Sequence, residues 1–128
     1  MSKASKVPKE DEKQRYARKQ QERRAAALAW LASFGAPVPE DPPQIEGDIE
    51  TGWGFSTNPS HFYGEIYSVC RRFNVYWLGT TPAQLAASVA RRDSGTRSGC
   101  VVYATREHAV QARARALWVD FAVRMLES

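Results

Sequence analysis

Aromatic residues are concentrated in one segment of this chain, from Trp53 to Gly79. The segment contains eight of the chain's fourteen aromatic residues, which are four Trp, five Tyr and five Phe. The eight are Trp53, Phe55, Phe62, Tyr63, Tyr67, Phe73, Tyr76 and Trp77. Because aromatic side chains carry more apolar area than any others, this segment predicts the place of the hydrophobic core or of a contact surface.

Charge is distributed unevenly along the 128 residues, a length that is typical of one domain. Residues 1–24 contain nine Lys and Arg and four acidic residues, a net charge of +5. Residues 36–52 contain five acidic residues, four prolines and no Lys or Arg. This order predicts a basic arm over residues 1–24 and a globular body over residues 25–128, with an acidic, proline-rich connector over residues 36–52.

The arm is predicted to form most of a helix that runs from Lys9 to Phe34, after a disordered segment over residues 1–8. Acidic residues stand at the start of this helix, and Gly35 and Pro37 are typical of its end. An apolar stripe is present only in the second half. It consists of Ala27, Leu28, Leu31 and Phe34. We therefore expect the arm to project from the body as a charged helix or to fray.

The aromatic segment predicts a second helix and a strand. Asn58 and Pro59 are typical of a helix start, and the helix would continue to Phe73. Its inner face would comprise Phe62, Ile66, Val69, Cys70 and Phe73, at spacings of three and four residues. A short strand over residues 75–78 follows, and Thr81 would cap a third helix that ends near Arg92.

The carboxyl-terminal third predicts a loop over residues 93–99, a buried strand over residues 100–104, and a helix over residues 106–126 capped by Thr105. The inner face of this helix would comprise Val110, Ala114, Leu117, Phe121 and Met125. Two strands joined by a helix are consistent with a parallel crossover. A third strand would come from residues 44–49 or 53–56.

These elements predict an α+β fold, or a small α/β fold, in a single domain dominated by helices. The domain would contain a sheet of two to three strands and carry the basic helical arm at its amino terminus.

A basic arm is typical of proteins that contact phosphates, so we expect a non-enzymatic accessory protein that binds nucleic acid. The candidate phosphate-binding residues are Lys13, Arg15, Arg18, Lys19, Arg23 and Arg24, with Arg71 and Arg72 in the body. The sequence has no helix-turn-helix signature and no RNA-binding motif, so it predicts neither DNA nor RNA in particular.

A small protein-binding inhibitor or adaptor, of the kind that mobile genetic elements encode, is the alternative. Aromatic residues with arginine neighbours are enriched at the energetic centres of protein interfaces. The candidate partner-binding residues are Trp53, Phe55, Tyr63 and Tyr67.

Metal binding, catalysis and anion binding have weaker support in the sequence. The residue types that could bind zinc or act as nucleophile and base are His61, Cys70, Cys100 and His108, and none of them has the spacing of a known site. Helix amino termini at Thr81 and Thr105 could attract an anion if both followed parallel strands, but neither turn has a phosphate-binding motif. We therefore expect no catalytic residues, no metal, no cofactor and no small-molecule ligand.

The amino terminus lacks the apolar run of a signal peptide, and no segment is long and apolar enough to cross a membrane. Two cysteines do not make a disulfide framework. These features lead us to expect a cytoplasmic protein with reduced thiols and no membrane partner.

Overall fold

A computed structural model describes residues 11–91, 95–96 and 101–128. The disordered segment predicted over residues 1–8 lies outside these residues, as do Cys100 and most of the predicted loop over residues 93–99. The described chain divides into two compact units. One comprises the residues up to Ala36 together with residues 119–128, and the other comprises residues 37–118.

The described residues form three helices and one open, three-stranded antiparallel sheet, which confirms the predicted α+β class. In chain order the elements are α1 (Glu12–Ser33), β1 (Ile49–Phe55), β2 (Ile66–Arg72), β3 (Val75–Gly79), α2 (Pro82–Ala90) and α3 (Arg106–Leu126). The strands lie in the order β1-β2-β3, and α3 begins in the second unit and ends in the first.

Helix α1 begins with a reciprocal cap. The Asp11 carboxylate accepts a hydrogen bond from the Gln14 backbone N–H at 2.7 Å, and the Gln14 side chain accepts one from the Asp11 backbone N–H at 3.2 Å. This capping box satisfies two of the backbone donors that a helix start leaves free. The helix ends before Gly35, as predicted, and its buried residues are Ala27 and Leu31.

The sheet is built around β2, which pairs with β1 on one side and β3 on the other. Phe73 and Asn74 connect β2 to β3 with positive φ angles of 50° and 64°, the conformation of a tight type I′ hairpin turn. The Asp48 carboxylate accepts a hydrogen bond from the Phe73 backbone N–H at 3.0 Å and so supports this turn. The third strand, β1, includes residues from both of the predicted candidate segments.

The helix predicted from Asn58 to Phe73 was wrong. Residues 58–65 form turns and bends, and residues 66–72 are strand β2. Both faces of β2 are covered, so apolar residues occupy neighbouring positions and include helix-like spacings by coincidence. Two residues assigned to the inner face of that helix, Phe62 and Phe73, are 88% and 87% exposed.

Helices α2 and α3 start where the sequence predicts. The Thr81 hydroxyl accepts a hydrogen bond from the Gln84 backbone N–H at 3.2 Å. The Thr105 hydroxyl accepts one from the His108 backbone N–H at 3.1 Å. Threonine is a favourable cap because its side chain replaces the hydrogen-bond partner that the first turn of a helix lacks.

Helices cover one face of the sheet. A Cβ on Gly79 would lie 2.5 Å from the backbone nitrogen of Leu85, so the absence of a side chain lets α2 approach β3 closely. The first half of α3 contributes Ala109 and Ala112 to a buried cluster around Tyr103. Partly buried residues packed against this cluster are Trp53, Phe55 and Ile66.

Connecting segments cover the opposite face of the sheet. Its buried cluster consists of Tyr67, Val69 and Val102, and the residues packed against it are Ile45, Ile49, Tyr63, Tyr76 and Leu78. The ring of Tyr67 lies across β1, where a Cβ on Gly54 would come within 2.7 Å of the ring. Each face of the sheet therefore carries its own buried hydrophobic cluster.

The predicted parallel arrangement was wrong. β3 pairs antiparallel with β2, and in place of the predicted strand Tyr103 alone makes isolated antiparallel bridges, to Gln44 and Trp53. Tyr103 exchanges backbone hydrogen bonds of 2.8 and 2.9 Å with Trp53, and Val102 accepts one of 2.8 Å from Ile45. These bonds extend the sheet beyond β1. The described residues contain no pair of parallel strands, so the arrangement on which the anion site at Thr81 and Thr105 depended is not formed by them.

The predicted inner face of α3 was also wrong. Val110, Leu117, Phe121 and Met125 are exposed. The buried residues of this helix are Ala109, Ala112, Val119 and Ala122, which lie on the opposite side. Small residues allow close helix packing, so the side of α3 with the smaller apolar residues is the buried one. Across the described residues, no helix combines the length and apolar content needed to span a membrane.

Candidate nucleic-acid interface

The first half of α1 is solvated. Residues 11–26 are exposed except for Gln20, which is half-buried. Most side chains in this segment therefore do not pack against the core, so their charges can be available to a binding partner. All six arm residues predicted to contact phosphates lie here, on one rigid element of the first unit.

Three of these cations form a cluster that we call the basic face of α1, consisting of Arg15, Arg18 and Lys19. Their spacing of three and four residues places them side by side on the helix surface. Glu22 lies on the same side and forms an ion pair with Arg18 at 3.0 Å. Among the described residues, no ion pair involves Arg15 or Lys19. The basic face therefore retains a net positive charge.

The other arm cations have different surroundings. Arg23 forms two hydrogen bonds to the Glu127 carboxylate, from Nε at 2.6 Å and from a terminal nitrogen at 2.7 Å. This pairing raises the pKa of Arg23 and lowers the pKa of the Glu127 carboxyl. Arg23 is thus committed within the first unit, whereas Lys13 and Arg24 have no ion pair within the described part of the chain.

Arg71 is buried in the second unit, and its side chain is used in folding. It is only 7% exposed. Its guanidinium donates hydrogen bonds to the backbone carbonyls of Gly47, at 2.5 Å, and Ile45. It also lies 5.6 Å from the centre of the Tyr76 ring, within the range of a cation–π interaction. Arg71 therefore ties the connector to the sheet and presents little surface to a phosphate.

Arg72 points to the other face of the sheet and forms an ion pair with Glu50 at 2.5 Å. This carboxylate raises the pKa of the Arg72 guanidinium. An open depression of about 260 Å³ lies beside the pair. Its lining residues are Glu50, Thr51, Arg72, Leu85, Ala86, Val89 and Ala90. Because Glu50 already neutralises the one arginine in this lining, the depression offers little attraction to an anion.

The aromatic residues predicted to bind a partner take part in packing. Trp53 and Phe55 lie against the Tyr103 cluster, and Tyr63 lies against the cluster that contains Tyr67. Tyr67 is only 5% exposed, and the His61 ring stacks on it at 5.1 Å between centroids. These residues serve mainly as core. The aromatic side chains that the segment exposes most are Phe62 and Phe73.

The thiol and imidazole groups do not gather into a site within the described residues. Cys70 is buried in β2, and burial raises the pKa of its thiol, which makes it a poor nucleophile at neutral pH. No group of three or more His, Cys, Asp or Glu side chains in residues 11–91, 95–96 and 101–128 could hold a metal ion.

Sequence reasoning missed two features of the surface. The acidic connector binds β2 and the turn after it, because Glu50 pairs with Arg72 and Asp48 accepts a hydrogen bond from Phe73. The large apolar side chains of α3 face outward. The alanines at 109, 112, 116 and 122 were the available signal, since they mark a second apolar side of the same helix.

Comparison with known proteins gave no match, since no family model, curated protein or solved structure is significantly similar to this chain. Function must therefore be inferred from the surfaces of the chain itself.

Proposed function

We propose that this protein is a non-enzymatic accessory factor that binds nucleic acid through α1. The observation that supports this function is the basic face of α1, where Arg15, Arg18 and Lys19 lie at neighbouring positions on a solvated helix. Lys13 and Arg24 add charge to the same element. We propose that it acts in the cytoplasm, where a protein with two cysteines keeps its thiols reduced.

The expected interaction is electrostatic and not selective for sequence. Each cation that neutralises a phosphate releases condensed counterions, so the logarithm of the binding constant falls with the logarithm of the salt concentration. Four phosphate contacts on duplex DNA correspond to a slope of about −3.6. Arg71 and Arg72 are not expected to contribute, because a buried contact and an ion pair already engage them.

A salt titration with fluorescently labelled single-stranded and duplex DNA and RNA tests the proposal. The informative variant is Lys19→Gln, which should reduce the magnitude of the slope on duplex DNA by about 0.9. Arg106→Gln is the matched control, because it removes one exposed positive charge from α3. We expect this control to leave the slope unchanged. Absence of binding at low salt, or equal effects of the two variants, would contradict the proposal.

Protein binding is the second candidate, as an inhibitor or adaptor that uses the aromatic segment. Phe62 and Phe73 support it, because both are almost fully exposed although they are large and apolar. Such binding would tolerate salt and would be lost in Phe62→Ser or Phe73→Ser. The two functions therefore differ in how affinity responds to salt.

A further inference from the structure

An exposed apolar stripe runs along α3 and has no role in the proposed function. It consists of Val110, Ala114, Leu117, Phe121 and Met125, of which all but the half-buried Ala114 are exposed. α3 is a continuous helix from Arg106 to Leu126, so the relative positions of these residues are those of an α-helix. Contiguous exposed apolar surface of this kind typically marks an interaction site.

The spacing of the stripe is that of a helix that packs against another helix. Val110, Ala114, Leu117 and Phe121 follow one another at intervals of four, three and four residues. When spacings of three and four residues alternate, the apolar side chains form one line along the helix, here called the seam, that can face a partner helix along its whole length. Glu107 and Arg124 continue the same alternation, three residues before Val110 and three residues after Phe121. The seam therefore has an acidic end and a basic end.

The charges at the two ends suit a second copy of the same helix in the opposite direction. In an antiparallel pair centred between Arg115 and Ala116, Glu107 of one copy lies opposite Arg124 of the other. Opposite charges at both ends of the seam then attract each other. A parallel pair would instead place Glu107 opposite Glu107 and Arg124 opposite Arg124, which is repulsive.

Side-chain size favours the same arrangement. In the antiparallel register Val110 lies opposite Phe121, and Ala114 lies opposite Leu117, so each layer combines a smaller and a larger side chain. A parallel pair would place two phenylalanines in one layer and two alanines in another. Layers that all have a similar total side-chain volume pack better than a series in which one layer is too large and another leaves a cavity.

We propose that α3 binds α3 of a second copy of this chain, antiparallel, through the stripe from Glu107 to Arg124. The contact would be roughly 26 Å long, from the rise per residue of an α-helix. One pair of helices buries an area at the low end of specific interfaces, so we expect a weak dimer. This proposal does not depend on nucleic-acid binding.

Sedimentation velocity of the full chain over a micromolar concentration series tests whether the stripe associates. We expect the wild type to move from monomer to dimer and Leu117→Ser to remain a monomer. Leu126→Ser is the matched control, because Leu126 lies on the same helix outside the stripe and is 43% exposed, against 39% for Leu117. It should dimerise like the wild type. A monomeric wild type, or equal behaviour of the two variants, would overturn the proposal.

Charge reversal tests the direction of the pair. Glu107→Arg and Arg124→Glu should each weaken the dimer by about tenfold, because each creates two like-charge pairs per dimer. The double variant restores opposite charges and should return the dissociation constant to near the wild-type value. In a parallel dimer each of these positions faces its own copy, so the pair is like-charged both before and after either substitution. Unchanged affinity in both single variants would therefore refute the antiparallel pair. Circular dichroism of dilute samples establishes that each variant remains folded.

Discussion

Adjacent residues can have opposite roles in this protein, as Arg71 and Arg72 show. Strand β2 alternates its side chains between the two faces of the sheet. Arg71 therefore enters the face covered by the connector, where it donates to two backbone carbonyls, and Arg72 reaches the other face and pairs with Glu50. From the sequence alone both are predicted to be surface cations, because the charges are visible but the strand that directs the two side chains to opposite faces of the sheet is not.

Arg71→Met should destabilise the fold by about 2–4 kcal/mol, because it leaves the carbonyls of Ile45 and Gly47 without their charged donor. Arg72→Met should cost less than about 1 kcal/mol, because its ion pair with Glu50 is exposed to solvent. Urea unfolding of the two variants and the wild type measures both effects. Equal destabilisation would show that the buried Arg71 hydrogen bonds contribute no more to stability than the exposed Arg72–Glu50 ion pair.

At the scale of the element, helix boundaries are predicted best. The caps at Thr81 and Thr105 and the bounds of α3 follow from the sequence, because a cap depends on local chemistry, although the similar signal at Asn58 and Pro59 does not start a helix. Strand β2 could not be identified in the same way. Burial of both its faces removes the alternation of apolar and polar residues that would otherwise reveal a strand.

Helix orientation is less predictable than helix bounds. α3 has two apolar sides, and the sequence favours the one with Val110, Leu117 and Phe121 because its side chains are larger. The structure buries the alanine side instead. The prediction failed because the size of a side chain indicates how much area it can bury, whereas close approach between elements selects for small residues.

The ion pair between α1 and the end of the chain should make stability depend on pH. Arg23 holds the pKa of the Glu127 carboxyl below its ordinary value, so the pair stabilises the folded state above the ordinary glutamate pKa. That contribution is lost as the pH falls through the lowered pKa. Glu127→Gln should therefore lower the melting temperature slightly at pH 7 and have no effect in strong acid.

Thermal unfolding of the wild type and Glu127→Gln across a pH series provides the comparison. Asp120→Asn is a suitable control, because Asp120 is an exposed carboxylate on α3 with no ion pair among the described residues. Its effect should not follow the same pH dependence. Because both partners of the Arg23–Glu127 pair are partly solvated, added salt should shrink the difference at pH 7. A difference that persists in strong acid would exclude the ion pair as its cause.

For the whole molecule, the distribution of charge along the chain predicts the candidate site only in part. The basic arm is visible in the sequence, and the structure shows how its cations lie on α1. The role of the acidic connector within the body could not be predicted from the sequence. Its acidic residues at 48 and 50 reach partners in and after β2, more than twenty residues away in sequence, and composition carries no information about such pairings.

Removal of residues 1–24 should leave a chain that still unfolds cooperatively. The buried residues of α1, Ala27 and Leu31, remain in the fragment, and the lost residues are nearly all exposed. What is lost is the capping box at Asp11 and the ion pair of Arg23, so we expect the melting temperature to fall by about 5 °C. Scanning calorimetry of both chains measures this change.

A fragment that begins at Pro37 is the decisive comparison, because it also lacks Ala27 and Leu31. Burial of a leucine contributes about 1.5–3 kcal/mol, so this fragment should melt well below the one that begins at Ala25. Similar melting of the two fragments would mean that residues 25–36 add nothing to the stability of the rest of the chain. Loss of a cooperative transition in the longer fragment would mean instead that the exposed half of α1 is required for folding. In that case its sequence would be constrained by the fold, which would remove the main argument that the basic face exists to bind phosphate.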